Sequence, residues 1–137
     1  MSQHIPDSGC RFLLDLITDG LGSAPLVHLF RADHTPAAGD TPESYVEADY
    51  SGYAPQALTT WTAAQTVGGV TTAIGDQLTF TVGPGGVGND VYGYYVTDAT
   101  DTVLLWAERD PAAPVEMQTE GQEYILTPRL RLASSGS

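Results

Sequence analysis

The chain has 137 residues, enough for one domain that buries its own core without staples. Seventeen Asp and Glu against five basic residues give a net charge of −12, which excludes the basic surface that nucleic acid or anionic lipid selects. A single cysteine, Cys10, excludes an internal disulfide, and no segment approaches the ~20 apolar residues of a membrane-spanning helix.

Fifteen glycines and nine prolines punctuate short apolar runs, the composition of an all-β domain with many turns. The opening "MSQHIPDSGC" has no basic n-region and no long apolar stretch, so it predicts no signal peptide and synthesis in the cytoplasm. The segment "PDSGCRFLLDLITDGLG" reads as a short α-helix over about residues 8–19, capped by Asp7 or Ser8 and ended by Gly20. Phe12, Leu13, Leu16 and Ile17 form its apolar stripe, which must dock because so short a helix is unstable alone.

"PLVHLFR" (25–31) reads as a strand with Leu26, His28 and Phe30 on one face and Val27, Leu29 and Arg31 on the other. A Pro- and Gly-containing loop follows over 32–44, then a segment (45–61) with a strand predicted around Gln56 to Thr62. "VTTAI" (70–74) and "QLTFTV" (77–82) read as strands around Gly75-Asp76, with Leu78, Phe80 and Val82 inward, and 83–90 as a flexible loop. "VYGYYVT" and "TVLLWAER" form a predicted hairpin across residues 98–101. "PVEMQTEGQEYILTPRLRL" reads as another, turning near Glu120-Gly121, with Pro128 demanding an edge or a bulge. The sum is a single all-β domain over 1–132, a β-sandwich or jelly-roll-like fold of about eight short strands with an N-terminal helix, and a flexible tail at 133–137.

Catalytic chemistry has no recognisable constellation. His4, His28 and His34 lack a zinc spacing, and no metal or other cofactor is expected. The carboxylates of the 33–43 and 98–101 loops fit turn chemistry better than a calcium register. Ser51 in "YSGYA" lacks the flanks of a nucleophile elbow. The tyrosines and tryptophans either stack on sugars, as in a carbohydrate- or receptor-binding module, or pack as core and interface.

Several pieces taken in order carry a resemblance: "IPDSG" before the LL-rich segment, "LVHLFRADHTP", "DTPESYVEADYSGYAPQAL", "VYGYYVTDATDTVLLWAER" and "GQEYILTPRLRLA". Together, from about residue 5 to 132, they resemble a group of small virion structural proteins of tailed bacteriophages. Where that group has a basic residue, Asn and Asp or Asn before x-Thr-Pro, this chain has Arg31-Ala32-Asp33. The resemblance implies a non-enzymatic virion component (head decoration, head fibre or tail-associated) and brings no catalytic residues. Partners would be the major capsid or tail protein and further copies of the chain.

The 91–107 hairpin is apolar on both parities. Alternation puts Tyr92, Tyr94 and Val96 on one side and Val91, Gly93 and Tyr95 on the other. In the partner strand it sets Leu104 and Trp106 against Val103, Leu105 and Ala107. One core covers one face, so the second requires the N-terminal helix or another chain. Phe12, Leu13, Leu16, Ile17, Tyr92, Tyr94, Tyr95, Leu104 and Trp106 are therefore the expected interface of a homo-oligomer, taken as a closed trimer.

Overall fold

A computed structural model describes residues 3–4, 24–58, 65–67, 70–85 and 88–133, with backbone alone at 3–4, 65–67, 70–73 and 131–133. The described residues are all-β, in twelve strands joined only by antiparallel pairs. In chain order these are β1 (Gln3–His4), β2 (Leu26–Phe30), β3 (Gln56–Ala57), β4 (Gln65–Val67), β5 (Val70–Ile74) and β6 (Leu78–Thr81). They continue as β7 (Asn89–Val91), β8 (Gly93–Thr97), β9 (Leu104–Arg109), β10 (Val115–Met117), β11 (Glu123–Leu126) and β12 (Arg129–Ala133). The helix expected at 8–19, with Phe12, Leu13, Leu16 and Ile17, lies outside the described residues, as does the 134–137 tail.

One layer is a five-stranded sheet in the order β1-β9-β8-β2-β3. The facing layer is a long ribbon in which β5 pairs with β12 and β6 with β11, β4 flanking β5. The main core lies between them as in a sandwich. Val27, Leu29, Tyr94, Val96, Leu105 and Trp106 come from the sheet, and Leu78, Phe80, Tyr124 and Leu130 from the ribbon. Burying such side chains stabilises by about 1.5–3 kcal/mol each, which is why the clean alternation of β6 orients it so firmly, with Leu78 and Phe80 in and Thr79 and Thr81 out.

Two expectations are corrected, while the strands expected around Gly75-Asp76 are present as β5 and β6. They are successive parts of one bent strand that follows β11 and β12. Leu126 pairs with Leu78 and Arg129 with Ile74, so one arm holds an extra residue at the bend, where the Gly75 N–H bonds the Pro128 carbonyl at 2.8 Å. Pro128 thus sits at a bulge, where its missing N–H costs nothing. The strands β10 and β11 do not form a hairpin: β10 pairs with β7 and β11 with β6. Residues 118–122 make a corner between layers, held by the Gln118 and Thr119 N–H groups on the Gln122 Oε1, both at 2.7 Å, and by Gly121 at φ 87°. Finally, the run read as loop 83–90 ends in strand β7.

Candidate functional site

The 91–107 hairpin shows how the two faces are filled. β8 and β9 pair as expected, and Asp98 builds the turn: its Oδ1 accepts the N–H groups of Thr102 (2.8 Å) and Val103 (3.0 Å). Simple alternation fails at two places, however. Between the pairs Val96–Trp106 and Thr97–Leu104 the register shifts, and this bulge turns Leu105 and Trp106 together into the main core while Leu104 and Ala107 face the other way. At the junction of β7 and β8 the parity shifts again: Val91, Tyr94 and Val96 join the core, and Tyr92 and Tyr95 the opposite face.

That opposite face carries a second cluster, Phe30, Tyr45, Tyr95, Leu104 and Ala107, with Tyr92 packed at its margin. Tyr45 arrives on the loop after β2, which folds back so that the Arg31 N–H reaches the Val46 carbonyl (2.8 Å) and the Ala48 N–H the Leu29 carbonyl (2.9 Å). A three-ring stack results. Tyr45 lies on Tyr95 with centroids 4.8 Å apart, and Tyr95 lies on His28 at 4.6 Å.

Carboxylates bracket the stack. His28, 1% exposed, donates from Nδ1 to the Glu47 Oε2 at 2.5 Å, and its Nε2 meets the Thr97 Oγ1 at 2.9 Å. Tyr53 donates to the same Glu47 oxygen at 2.7 Å while accepting the Leu29 N–H at 3.1 Å. At the far end Asp40 Oδ2 accepts from the Tyr45 hydroxyl (2.7 Å), the His34 Nε2 (2.9 Å) and the Ala37 N–H (3.0 Å). Burial works to raise both carboxyls, but these hydrogen bonds outweigh it and hold Glu47 and Asp40 below the usual carboxylate range. Burial, reinforced by the neighbouring carboxylates, pushes the Tyr45, Tyr53 and Tyr95 hydroxyls up.

Glu47, His28 and Thr97 stand in the order carboxylate, imidazole, hydroxyl. That order invites comparison with a nucleophilic triad, which needs an accessible hydroxyl and oxyanion donors. Thr97 is 0% exposed, and its hydroxyl also lies 3.0 Å from the Asp98 carbonyl. The trio therefore acts as a bracket, tying β2, the 45–53 segment and the end of β8 together. A second buried network sits in the main core: Tyr94 donates to the Glu108 Oε1 at 2.6 Å and accepts from the Trp106 Nε1 at 3.3 Å. Neither Glu47 nor Glu108 stood out in the sequence, because a lone carboxylate reads as solvent-facing. Only the placement of its partners shows otherwise.

The residues expected to make an interface are thus divided. Tyr94, Tyr95, Leu104 and Trp106 are all buried within the single chain, and Tyr92 is half-buried beneath the Arg109 guanidinium, 5.4 Å from its ring centroid. Among the described residues no group of three or more His, Cys, Asp or Glu side chains could hold a metal ion, and no helix is long and apolar enough to cross a membrane. No known protein family, curated protein sequence or solved structure matches the chain.

Proposed function

We propose that the protein is a non-enzymatic structural component of a tailed-phage virion that acts by docking on the particle and on further copies of itself. The observation that carries this reading, beside the sequence resemblance, is the internal use of its reactive side chains. The described aromatic and histidine rings are buried or half-buried, and the His28 and His34 rings bond to carboxylates of the same chain. What the described surface offers outward is shape, backbone and negative charge. A carbohydrate- or receptor-binding role would need an exposed aromatic platform, and Tyr45, Tyr50, Tyr94, Tyr95, Trp106 and Tyr124 are all inside. The acidic surface supports selective docking, since like charge discourages promiscuous contact.

The test is co-sedimentation of the purified chain with heads, and separately with tails, of the phage that encodes it. Saturable binding to one of them is expected. Binding to neither, together with retention on a glycan array, would replace this reading by the carbohydrate-binding one.

A further inference from the structure

The His28 ring faces acceptors on both of its nitrogens. It is 1% exposed, so protein groups rather than bulk solvent must satisfy them. Nδ1 lies 2.5 Å from the Glu47 Oε2, an ionised carboxylate oxygen that also takes the Tyr53 hydrogen. Nε2 lies 2.9 Å from the Thr97 Oγ1. A hydroxyl carries one hydrogen, and Thr97 gives its own to the Asp98 carbonyl at 3.0 Å, so it meets the ring as an acceptor. The Asp101 Oδ1, 3.6 Å from Nε2, adds a second carboxylate on that side. A neutral ring protonated at Nδ1 would need the Thr97 hydrogen for Nε2. That would set oxygen against oxygen at Asp98 and leave an electron-rich Nε2 beside the Asp101 charge.

We propose that His28 is an imidazolium, the buried cation of a Glu47–His28–Asp101 triad that latches the 98–103 turn onto the sheet. A buried cation is costly unless it is paired, and here one carboxylate stands at each nitrogen. Tyr95 lies flat on the ring, 4.6 Å between centroids and 9° between planes, a placement that favours positive charge. Glu43 adds negative charge near Tyr95. Arg31 does not compete for the Glu47 carboxylate: its Nε bonds the Glu47 backbone carbonyl at 3.2 Å and pairs with Asp49 at 3.5 Å. The backbone carries a matching sign. Among the described residues Asp101 is the non-glycine residue with positive φ, 58°, a left-handed conformation that Asp tolerates but that needs holding in place. In that conformation its carboxylate turns back to His28, and the turn is tied to β2 and to the 45–53 segment through one ring. The latch is a property of the fold and holds whether or not the chain docks on a particle.

The charge is read directly from the ring nitrogens. Proton–nitrogen NMR spectra of the isotope-labelled chain at neutral pH, with His4→Gln and His34→Gln identifying the other two histidines, are expected to show both His28 nitrogens protonated. A bare nitrogen on His28 would overturn the proposal. Asp101→Asn tests the latch, since Asn keeps the left-handed backbone and the side-chain size and removes only the charge. Amide exchange at Thr102 and Val103, whose N–H groups Asp98 holds within the turn, should then quicken severalfold while β6 and β11 keep their parental rates. Unchanged exchange at the turn, or quickening everywhere alike, would refute the latch.

Discussion

Replacing Glu47 with alanine tests whether the buried bracket holds the second face of the sheet together. The carboxylate accepts from His28 Nδ1 at 2.5 Å and from Tyr53 at 2.7 Å. A hydrogen bond to a charged group is worth about 1.5–3 kcal/mol, a neutral one about 1, and a buried donor left unmet costs a further 1–3. Glu47 keeps 34% of its side-chain surface in water, so solvent replaces part of what is lost and the lower ends apply. The expected destabilisation is about 2–3 kcal/mol, or roughly 8–10 °C in melting temperature for a domain of this size. Glu47→Gln, which keeps an acceptor oxygen, should lose about half as much. Asp33→Ala is the control: its side chain is 70% exposed and its pairing with Arg109 should matter by less than about 0.5 kcal/mol. Thermal melts by circular dichroism at neutral pH read all three. The pH dependence has a definite sign. Glu47 is held below its ordinary value in the folded state, so its contribution is present above the unfolded carboxyl's pKa and is lost as pH falls through the folded one. Glu47→Ala should therefore flatten the acid side of the stability curve. A variant melting within about 1 °C of the parent, or a control that loses as much, would refute the bracket.

The alkaline limit follows from the tyrosines. Burial raises the Tyr45, Tyr53, Tyr94, Tyr95 and Tyr124 hydroxyls, and takes Tyr50, whose buried hydroxyl has no hydrogen-bond partner among the described residues, to about 12. Stability should hold below the ordinary tyrosine value near 10 and fall as pH rises above it, with tyrosinate absorbance appearing together with unfolding; a smooth titration of the folded protein would contradict this. Gly93→Ala should destabilise by about 3 kcal/mol in urea, because the new Cβ would lie 2.2 Å from the Glu108 carbonyl oxygen and 2.8 Å from Phe30, whereas Gly39→Ala, with nothing within 4 Å among the described residues, should be close to neutral. Asp98 spends its Oδ1 on two backbone N–H groups of its own turn, so EDTA should leave the melting temperature unchanged. A drop restored by calcium and not by magnesium would show a metal role instead.

Local chemistry was enough to find most strands and some turns. The alternation of β6, the Asp98 turn and the strand at 26–30 are short-range patterns, each set by side chains within a few residues, and they are legible as such. β4 and β10 are three residues each, too short to show a period: β4 was not anticipated and β10 was joined to the wrong partner. The candidate site was only half visible. His28 read correctly as a packed strand residue, but Glu47 lies 19 positions away, and nothing in either neighbourhood announces the other.

Pairing, by contrast, was decided in three dimensions. Strands 70–74 and 78–81 each satisfy their backbone groups against 123–133, across some fifty residues, because a sandwich needs its layers continuous rather than its neighbours paired. The same holds for the apolar hairpin with which the sequence poses its sharpest problem. Residue types alone dictated that both of its faces be covered, since that much apolar surface does not stay in water. They could not say by what. A one-residue bulge in β9 turns Leu105 and Trp106 into one core and leaves Leu104 and Ala107 to another, and the loop carrying Tyr45 folds over the second. A period of two is a property of an unbroken strand, so one extra residue reassigns every side chain beyond it, and only the partner strand determines where that residue goes.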